Sequence, residues 1–377
     1  MRILTLNYEH PPLGGGGGRL SAKVAAGLVR RGHAVRILTG GMTHLPKESL
    51  EEGVEVRRLR SLRRREDTCS VPEMAAWVAR AIPSAIAEVR RWRPDVIHAH
   101  FAVPTGAVAW AVRRVTGLPY VLTAHLGDVP GGVPEQTGDL FRWVKPFTEP
   151  IWREASATTA VSSFVAGLAR GAYGNSPEVI LNGMTLPTLR EIVPGEVPRL
   201  LYVGRMSVQK DPVTAVRALA LLKDLPWSCV MIGEGPLMPS VREEISRSGL
   251  EGRIELRGWV SSDGVSVAMC EAGILLIPSL SEGLPMVAVE ALANGLAIAG
   301  SRIGGLADVA IAEKNAFLFD LKEGASGLAA ALRIPLKSAD ALERARRTSL
   351  EMASRFDLER SLDAYERVLG EVSKIRP

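Results

Sequence analysis

The sequence predicts an α/β protein built of two doubly wound parallel-sheet domains, and three observations carry that expectation. Short β-branched or apolar runs alternate with longer helical patterns, the alternation breaks once and restarts, and 377 residues suit two domains of about 100 to 200 residues each. Strand, helix, strand in that order implies parallel pairing through right-handed crossovers.

The first strand is Ile3-Leu4-Thr5-Leu6, followed by a loop that holds five consecutive glycines, Gly14 to Gly18. A helix, LSAKVAAGLVRRGH, comes next, then the strand AVRILT. PDVIHAH, the helix GAVAWAVRRVTG and PYVLTAH continue the alternation. The Pro/Gly-rich stretch Glu191-Ile-Val-Pro-Gly-Glu-Val-Pro198 reads as a linker. Beyond it the pattern restarts with RLLYVG, DPVTAVRALALL, WSCVMIG, RIELRG, AGILLIP, a helix from Pro285, and LAIAGS. The expected domains are therefore 1–190 and 191–355, with a final helix in 356–377 that can cross back to the first domain.

Composition narrows the class. The chain is 46% hydrophobic and 23% charged, enough apolar content for a sizeable core. No apolar run approaches the roughly 18 residues a membrane span needs, and Met1-Arg2 leads straight into a strand, so a cytoplasmic protein is expected. Cys69, Cys229 and Cys270 are widely spaced without a ligand pattern and are read as small buried residues. The formal charge is uneven, +8 over residues 1–190 and −3 over the rest, which suits either an anionic partner for the first domain or a solvated basic surface.

The glycine run calls for a close neighbour, a phosphate for example, or a flexible loop, because glycine costs conformational entropy on folding. A nicotinamide cofactor does not fit: the loop from Leu6 to Gly14 is too long for a tight G-x-G-x-x-G turn, and the second strand ends Ile37-Leu38-Thr39-Gly40 without a carboxylate. An ATP-type P-loop lacks its Lys-Ser or Lys-Thr.

The sharper signal is SLSEGLPMVAVEALANG, residues 279–295. Pro285 suits the first position of a helix, and Gly283-Leu284 offer amides, so the helix start becomes an anion site beyond the strand AGILLIP. Glu282 sits in the loop, and Glu290 leans back toward the same helix start, so two carboxylates border a phosphate-type pocket and suit hydroxyl-rich parts of a ligand, a ribose and a sugar. The alternative makes both ordinary surface charges. After the strand RLLYVG, Arg205 and Lys210 in GRMSVQKD can reach a diphosphate and neutralise it as it departs, or stand as solvated loop cations. His98 and His100 in VIHAH are expected to be packed or hydrogen-bonded rather than metal ligands.

These residues together resemble a retaining glycosyltransferase of family 4, among the glycosyl transferases of group 1. The glycine loop with Arg19, PDVIHAHFAVPTG, TAHLGD, GRMSVQK, GEGP at 233–236 and the Glu282/Glu290 pair follow the family's order over nearly the whole chain. The resemblance implies a GT-B fold, two Rossmann-like domains facing across a cleft, the first binding the acceptor and the second a nucleotide sugar. It implies transfer of a sugar to an acceptor hydroxyl with the anomeric configuration kept, and no bound metal or cofactor. Arg205 and Lys210 would contact the diphosphate; Gly283, Leu284 and the amides beside Pro285 the phosphates and sugar; Glu282 the sugar; Glu290 the ribose. His125 would lie beside the reacting carbon, the base near Arg257, the donor phosphate near Gly15, Gly16 and Gly17, and the acceptor near Gly14, Arg19 and Asp128. Here His125-Leu126-Gly127-Asp128 shifts the family's glycine by one, and Asn182-Gly183-Met184-Thr185 lacks its usual carboxylate. A UDP-sugar is the expected donor, GDP-mannose the runner-up. A non-catalytic homologue, a sugar phosphorylase and an epimerase are the competing readings.

The acceptor is the least determined element, and no nucleic-acid partner is expected. Arg57, Arg58, Arg60, Arg63, Arg64 and Arg65 fall within nine residues, and LFRWVKPFTEPIW mixes Phe141, Trp143, Phe147 and Trp152 with Arg142 and Lys145. One reading is a lipid-linked or anionic acceptor, with peripheral contact at the inner membrane face. The other is a solvated arginine loop beside an ordinary packed helix.

Overall fold

The computed structural model describes residues 1–66, 68–187 and 197–375, with the backbone alone for 135–140 and 142. The chain forms two compact units, Met1–Gly183 with Leu358–Pro377, and Met184–Asp357. Most of the expected linker, residues 191–196, lies outside the described residues.

The first unit runs β1 (Arg2–Leu6), α1 (Gly16–Arg30), β2 (Ala34–Gly41), β3 (Glu48–Glu51), β4 (Val54–Arg60), α2 (Val71–Trp92), β5 (Val96–His100), α3 (Ala107–Thr116), β6 (Tyr120–Ala124), α4 (Pro134–Arg153), β7 (Ala157–Ala160), α5 (Ser163–Tyr173) and β8 (Glu178–Val179). Its sheet has the order β3-β4-β2-β1-β5-β6-β7-β8, and only the β3/β4 pair is antiparallel. The central strands β5 and β6 are buried at every residue, as expected where helices cover both faces of a parallel sheet. Apart from the antiparallel edge strand β3, strand numbers climb outward on either side of β1 and β5, so the connections after these two strands leave on opposite faces and open a crevice at their carboxyl ends.

Helix α1 starts at Gly16, inside the glycine run, four residues earlier than the sequence pattern suggests. The first turn of a helix lacks backbone acceptors within the helix, and here close packing selects glycine over propensity. A Cβ at Gly18 would lie 3.0 Å from the carbonyl oxygen of Glu9, and one at Gly17 would lie 2.5 Å from the Phe101 ring.

The second unit runs β9 (Arg199–Val203), α6 (Pro212–Ala220), β10 (Ser228–Ile232), α7 (Met238–Arg247), β11 (Ile254–Arg257), α8 (Ser262–Glu271), β12 (Ile274–Ile277), α9 (Met286–Ala293), β13 (Ala297–Ser301), β14 (Ala316–Phe319), α10 (Gly324–Lys337) and α11 (Ala339–Ala353). All pairs in the order β11-β10-β9-β12-β13-β14 are parallel, with the switch between β9 and β12. Pro285 is the N-cap of α9 rather than its first helical residue, because its ψ of 112° is still extended. Burial of the cysteines holds for Cys229 on β10 alone; Cys69 is half-buried and Cys270 exposed on α8.

The last helix, α12 (Leu358–Ser373), belongs to the first unit. Its buried residues Leu358, Leu362, Tyr365, Leu369 and Val372 recur at helical spacing and give it an apolar stripe. Leu362 sits over Gly27 of α1, where a Cβ would come within 2.5 Å of it. Arg31 adds ion pairs to Glu359, Asp363 and Glu366 at 2.6 to 2.8 Å. Tyr365 packs its ring 5.1 Å from that of His98 on β5. Among the described residues no helix is long and apolar enough to cross a membrane.

Truncating Tyr365 to Ala empties a fully buried site and is expected to lower the stability of the first unit by about 3–5 kcal/mol. Amide exchange of α1 and β5 should accelerate while that of β9 and β12 stays unchanged; equal acceleration in both units would contradict the docking of α12 described above.

Candidate active site

Both crevices carry the residues that the sequence marks. In the second unit the loop after β9 brings Arg205 and Lys210, and the loop after β12 brings Ser279 and Glu282. Glu282 is buried, and its Oε1 accepts from Lys210 Nζ at 2.5 Å and from Ser279 Oγ at 2.7 Å. Leu280 N–H donates to the Gln209 carbonyl at 2.8 Å, and Gln209 Nε2 donates to the Ser281 carbonyl at 3.1 Å, so the two loops are laced together. Gly305 supports the far side: a Cβ there would come within 1.8 Å of the Glu282 carbonyl oxygen. Ser279 and Gly305 escape sequence reasoning because neither stands at a spacing that periodicity reveals.

Arg205 is exposed at the end of β9, and Glu290 is half-buried in the second turn of α9. Gly283 and Leu284 lead into α9 with Pro285 as its cap, so the amides of the following turn point out of the helix start. Arg257, expected beside a base, makes a two-bond pair with Glu255 at 2.7 and 2.9 Å. Next to it Trp259 leaves 72% of its surface exposed, a broad aromatic face that the sequence reading passed over.

In the first unit the loops after β1, β5 and β6 converge. Asp128 is fully buried, and its carboxylate gathers three amides: Ala102 N–H at 2.6 Å, His125 N–H at 2.9 Å and Leu126 N–H at 3.0 Å. This geometry commits Asp128 to tying the β5 and β6 loops rather than to an exposed acceptor contact. His125 is buried and stacks on Phe101, with ring centroids 4.2 Å apart and planes at 26°. Phe101 holds a φ of 71°, a region costly for a bulky residue, and its ring meets Tyr8 edge-on at 5.3 Å.

The glycine loop answers mainly to protein neighbours. Gly14 has a φ of 85°, and the Gly15 amide donates to Glu9 Oε2 at 3.1 Å. A Cβ at Gly17 would crowd Phe101 and lie 3.1 Å from His125 Nδ1, whereas Gly15 and Gly16 have open space around theirs. The carboxylate at this helix start disfavours a second anion there and leaves the loop better suited to hydroxyl groups than the expected phosphate. Arg19 is exposed in the second turn of α1.

His98 and His100 are hydrogen-bonded within the core, as the sequence implies: His98 Nε2 meets Thr123 Oγ1 at 2.9 Å, and His100 Nδ1 meets His125 Nε2 at 3.2 Å. Burial pushes His98 and His125 down to about 3 and His100 well below its ordinary value, so all three are neutral in the folded unit.

Much of the arginine run is spent inside the fold. Arg58 is buried and paired with Glu51 at 2.6 Å, and Arg63 is buried and donates to the carbonyls of Tyr8, Arg65 and Glu66. Arg57 faces Glu48 and Glu88, and Arg60 reaches the Thr43 carbonyl. Phe141 and Trp152 are buried on α4, whereas Trp143 and Phe147, one helical turn apart, stay about four-fifths exposed at 79% and 80%.

Two doubly wound units, each with its polar residues at the switch point, are the architecture of GT-B glycosyltransferases. The chain belongs to the glycosyltransferase families that use it: residues 14–186 match Glycosyltransferase Family 4 and residues 197–337 match Glycosyl transferases group 1. It is 28% identical over 316 residues to the 2-deoxystreptamine glucosyltransferase of Streptomyces kanamyceticus, covering 76% of this chain and 81% of that protein. It is 28% identical over 386 residues to the glycogen synthase of Mycobacterium tuberculosis, covering 95% and 91%. In fold it is similar to sucrose-phosphate synthase from Thermosynechococcus elongatus, with a TM-score of 0.85, 18% identity and 98% of both chains covered. Anabaena HepE in complex with UDP-glucose superposes with a TM-score of 0.77 and 19% identity over 98% of this chain and 100% of that one.

The neutral histidines make the first unit acid-sensitive. Their folded pKa values lie below the unfolded value of 6.5, so the unfolded chain binds more protons below that pH and stability falls as pH drops toward about 3. Each is expected to contribute up to about 1.4 kcal/mol per pH unit in that window. Urea midpoints read from amide exchange of β5 and β6 should decline from pH 7 to pH 5; an unchanged midpoint would contradict neutral burial.

Proposed function

We propose that the protein is a metal-independent retaining hexosyltransferase that moves a sugar from a nucleotide sugar, a UDP-sugar ahead of GDP-mannose, to an acceptor hydroxyl. The observation that carries this reading is the Lys210–Glu282–Ser279 cluster beside Arg205 and the start of α9. Fixed cations and bare amides at one strand edge suit a diphosphate, and a preorganised carboxylate suits a sugar hydroxyl. Lys210 exchanges part of its bond to Glu282 for the phosphate, and Glu282 turns its other oxygen to the sugar. The sugar C1–O bond to the diphosphate breaks, the acceptor oxygen bonds to C1 on the same face, and the acceptor proton leaves on the diphosphate. Arg205, Lys210 and the start of α9 balance the charge that develops there. His125, with a pKa near 3, is a poor base and serves instead as a neutral hydrogen-bonding group. Trp259 offers its exposed ring to the base.

The donor follows from thermal stabilisation by UDP, GDP and ADP, since a ligand at 100 times its Kd adds about 2.7 kcal/mol. With the matching sugar nucleotide, the product should keep the donor's anomeric configuration, and EDTA should leave transfer intact. Arg205→Ala or Lys210→Ala should lower kcat on the order of 10². Glu290→Ala should act mainly on the donor KM, as expected for a contact equal in ground and transition states. An inverted product, an obligatory metal, or normal turnover in all three variants would overturn the reading.

For the acceptor, the exposed Trp143 and Phe147 keep open the lipid-linked reading with peripheral membrane contact, now resting on aromatics more than on the arginine run. Trp143→Ala/Phe147→Ala should abolish sedimentation with anionic liposomes if the pair inserts; no sedimentation of the unaltered protein would favour a water-soluble acceptor.

A further inference from the structure

We propose that His100 is the positioning residue that sets the tautomer of His125: His100 donates its Nδ1–H to His125 Nε2, which places the His125 proton on Nδ1, toward the glycine-rich start of α1. The proposal deepens the transferase reading and rests on it only for what His125 then does to a sugar.

The two rings meet at one bond, 3.2 Å between His100 Nδ1 and His125 Nε2. Neutral imidazoles carry one proton each, so two arrangements satisfy that bond. If His125 donated, the His100 proton would sit on Nε2, a buried atom with no hydrogen-bond partner among the described residues. If His100 donates, Nε2 is a bare lone pair. Burying an orphaned N–H is the rarer and costlier outcome, since orphaned acceptors are better tolerated than orphaned donors. Full burial of both rings removes the doubly protonated forms that would make the choice irrelevant.

The surroundings leave His125 little freedom to evade this choice. Its backbone amide is held by Asp128 at 2.9 Å, and Phe101 covers one ring face at 4.2 Å. Flipping the ring would replace Nε2 by a carbon against His100 and sacrifice the bond. On the other side, Nδ1 lies 3.1 Å from the place a Gly17 Cβ would occupy, at the first turn of α1. A helix start favours a lone pair over an N–H, but Glu9 Oε2 already accepts the Gly15 amide there and offsets that pull. The His100 ring in turn packs against that of His98, centroids 4.1 Å apart and planes at 43°, and His98 is held by Thr123 at 2.9 Å, so the donor is itself oriented from the core. The consequence is that His125 presents an uncharged N–H to a hydroxyl oxygen of the sugar, a donor and not a base.

The six histidines of the full chain allow direct reading by ring-nitrogen NMR on protein labelled with ¹⁵N-histidine. In the unaltered protein without ligand, His125 should show a protonated Nδ1 and a pyridine-type Nε2. His100→Asn, whose amide nitrogen can stand where Nδ1 stood, should keep this pattern, and His100→Leu should lose it. In transfer assays His100→Leu should lower kcat by roughly tenfold with the donor KM within about twofold, the scale of one buried hydrogen bond, and His100→Asn should recover most of the loss. A His125 proton on Nε2 in the unaltered protein overturns the proposal whether or not the variants fold, as does a His100→Leu variant with unchanged tautomer and turnover. If no nucleotide sugar supports transfer, the transferase reading fails while the tautomer measurement still decides this one.

Discussion

Parallel strand pairing is the constraint from which the rest of each unit follows. Two parallel neighbours cannot be joined by a tight turn, so each connection crosses a face of the sheet, and at one place the crossings change side. That place is β1/β5 in the first unit and β9/β12 in the second. Phe101, His125, Lys210 and Glu282 are each on a loop that leaves a strand at or next to its switch point. The site is thus a by-product of winding, and its precision comes from what then locks the loops.

The locks are buried carboxylates used in opposite ways. Asp128 is surrounded by amides: three N–H donors offset its desolvation, which pushes its pKa up, and stitch two loops into one surface. Glu282 has Lys210 and Ser279 as partners, a cation and a hydroxyl on side chains rather than backbone, which a ligand can recruit. A carboxylate satisfied by backbone is structural, whereas one satisfied by side chains can exchange them.

The floor under His125 is built from distant parts of the chain. His98 and His100 come from β5, Thr123 and His125 from β6 and the loop after it, and Tyr365 from α12, more than 200 residues later. Such a cluster of tilted rings is stable because burial keeps each histidine neutral and every ring has a neighbour to pack on. Phe101 tolerates its positive φ for the same reason: the rings of Tyr8 and His125 and the close approach of Gly17 hold it there.

The alternation of apolar runs and helical patterns determined, from the sequence alone, two doubly wound units and the parallel direction of their central strands, because parallel winding follows from local period and connection length; the antiparallel edge pair β3/β4 lies outside that pattern. Lys210 and Glu282 stand out as charged residues just past apolar strands, where a strand's carboxyl end lies, whereas His125 is marked by the family resemblance of TAHLGD. Which partner each would take was decided only by tertiary structure. Asp128, expected at the acceptor, has its carboxylate taken up by backbone amides, the arginines of β4 and beyond are largely consumed by Glu51, Glu88 and carbonyls, and three of the five glycines, Gly14, Gly17 and Gly18, make room for Glu9, Phe101 and His125 while Gly15 and Gly16 keep open space. Residues far apart along the chain compete for the same partner only once the sheet brings them together, and no periodicity encodes the outcome of that competition.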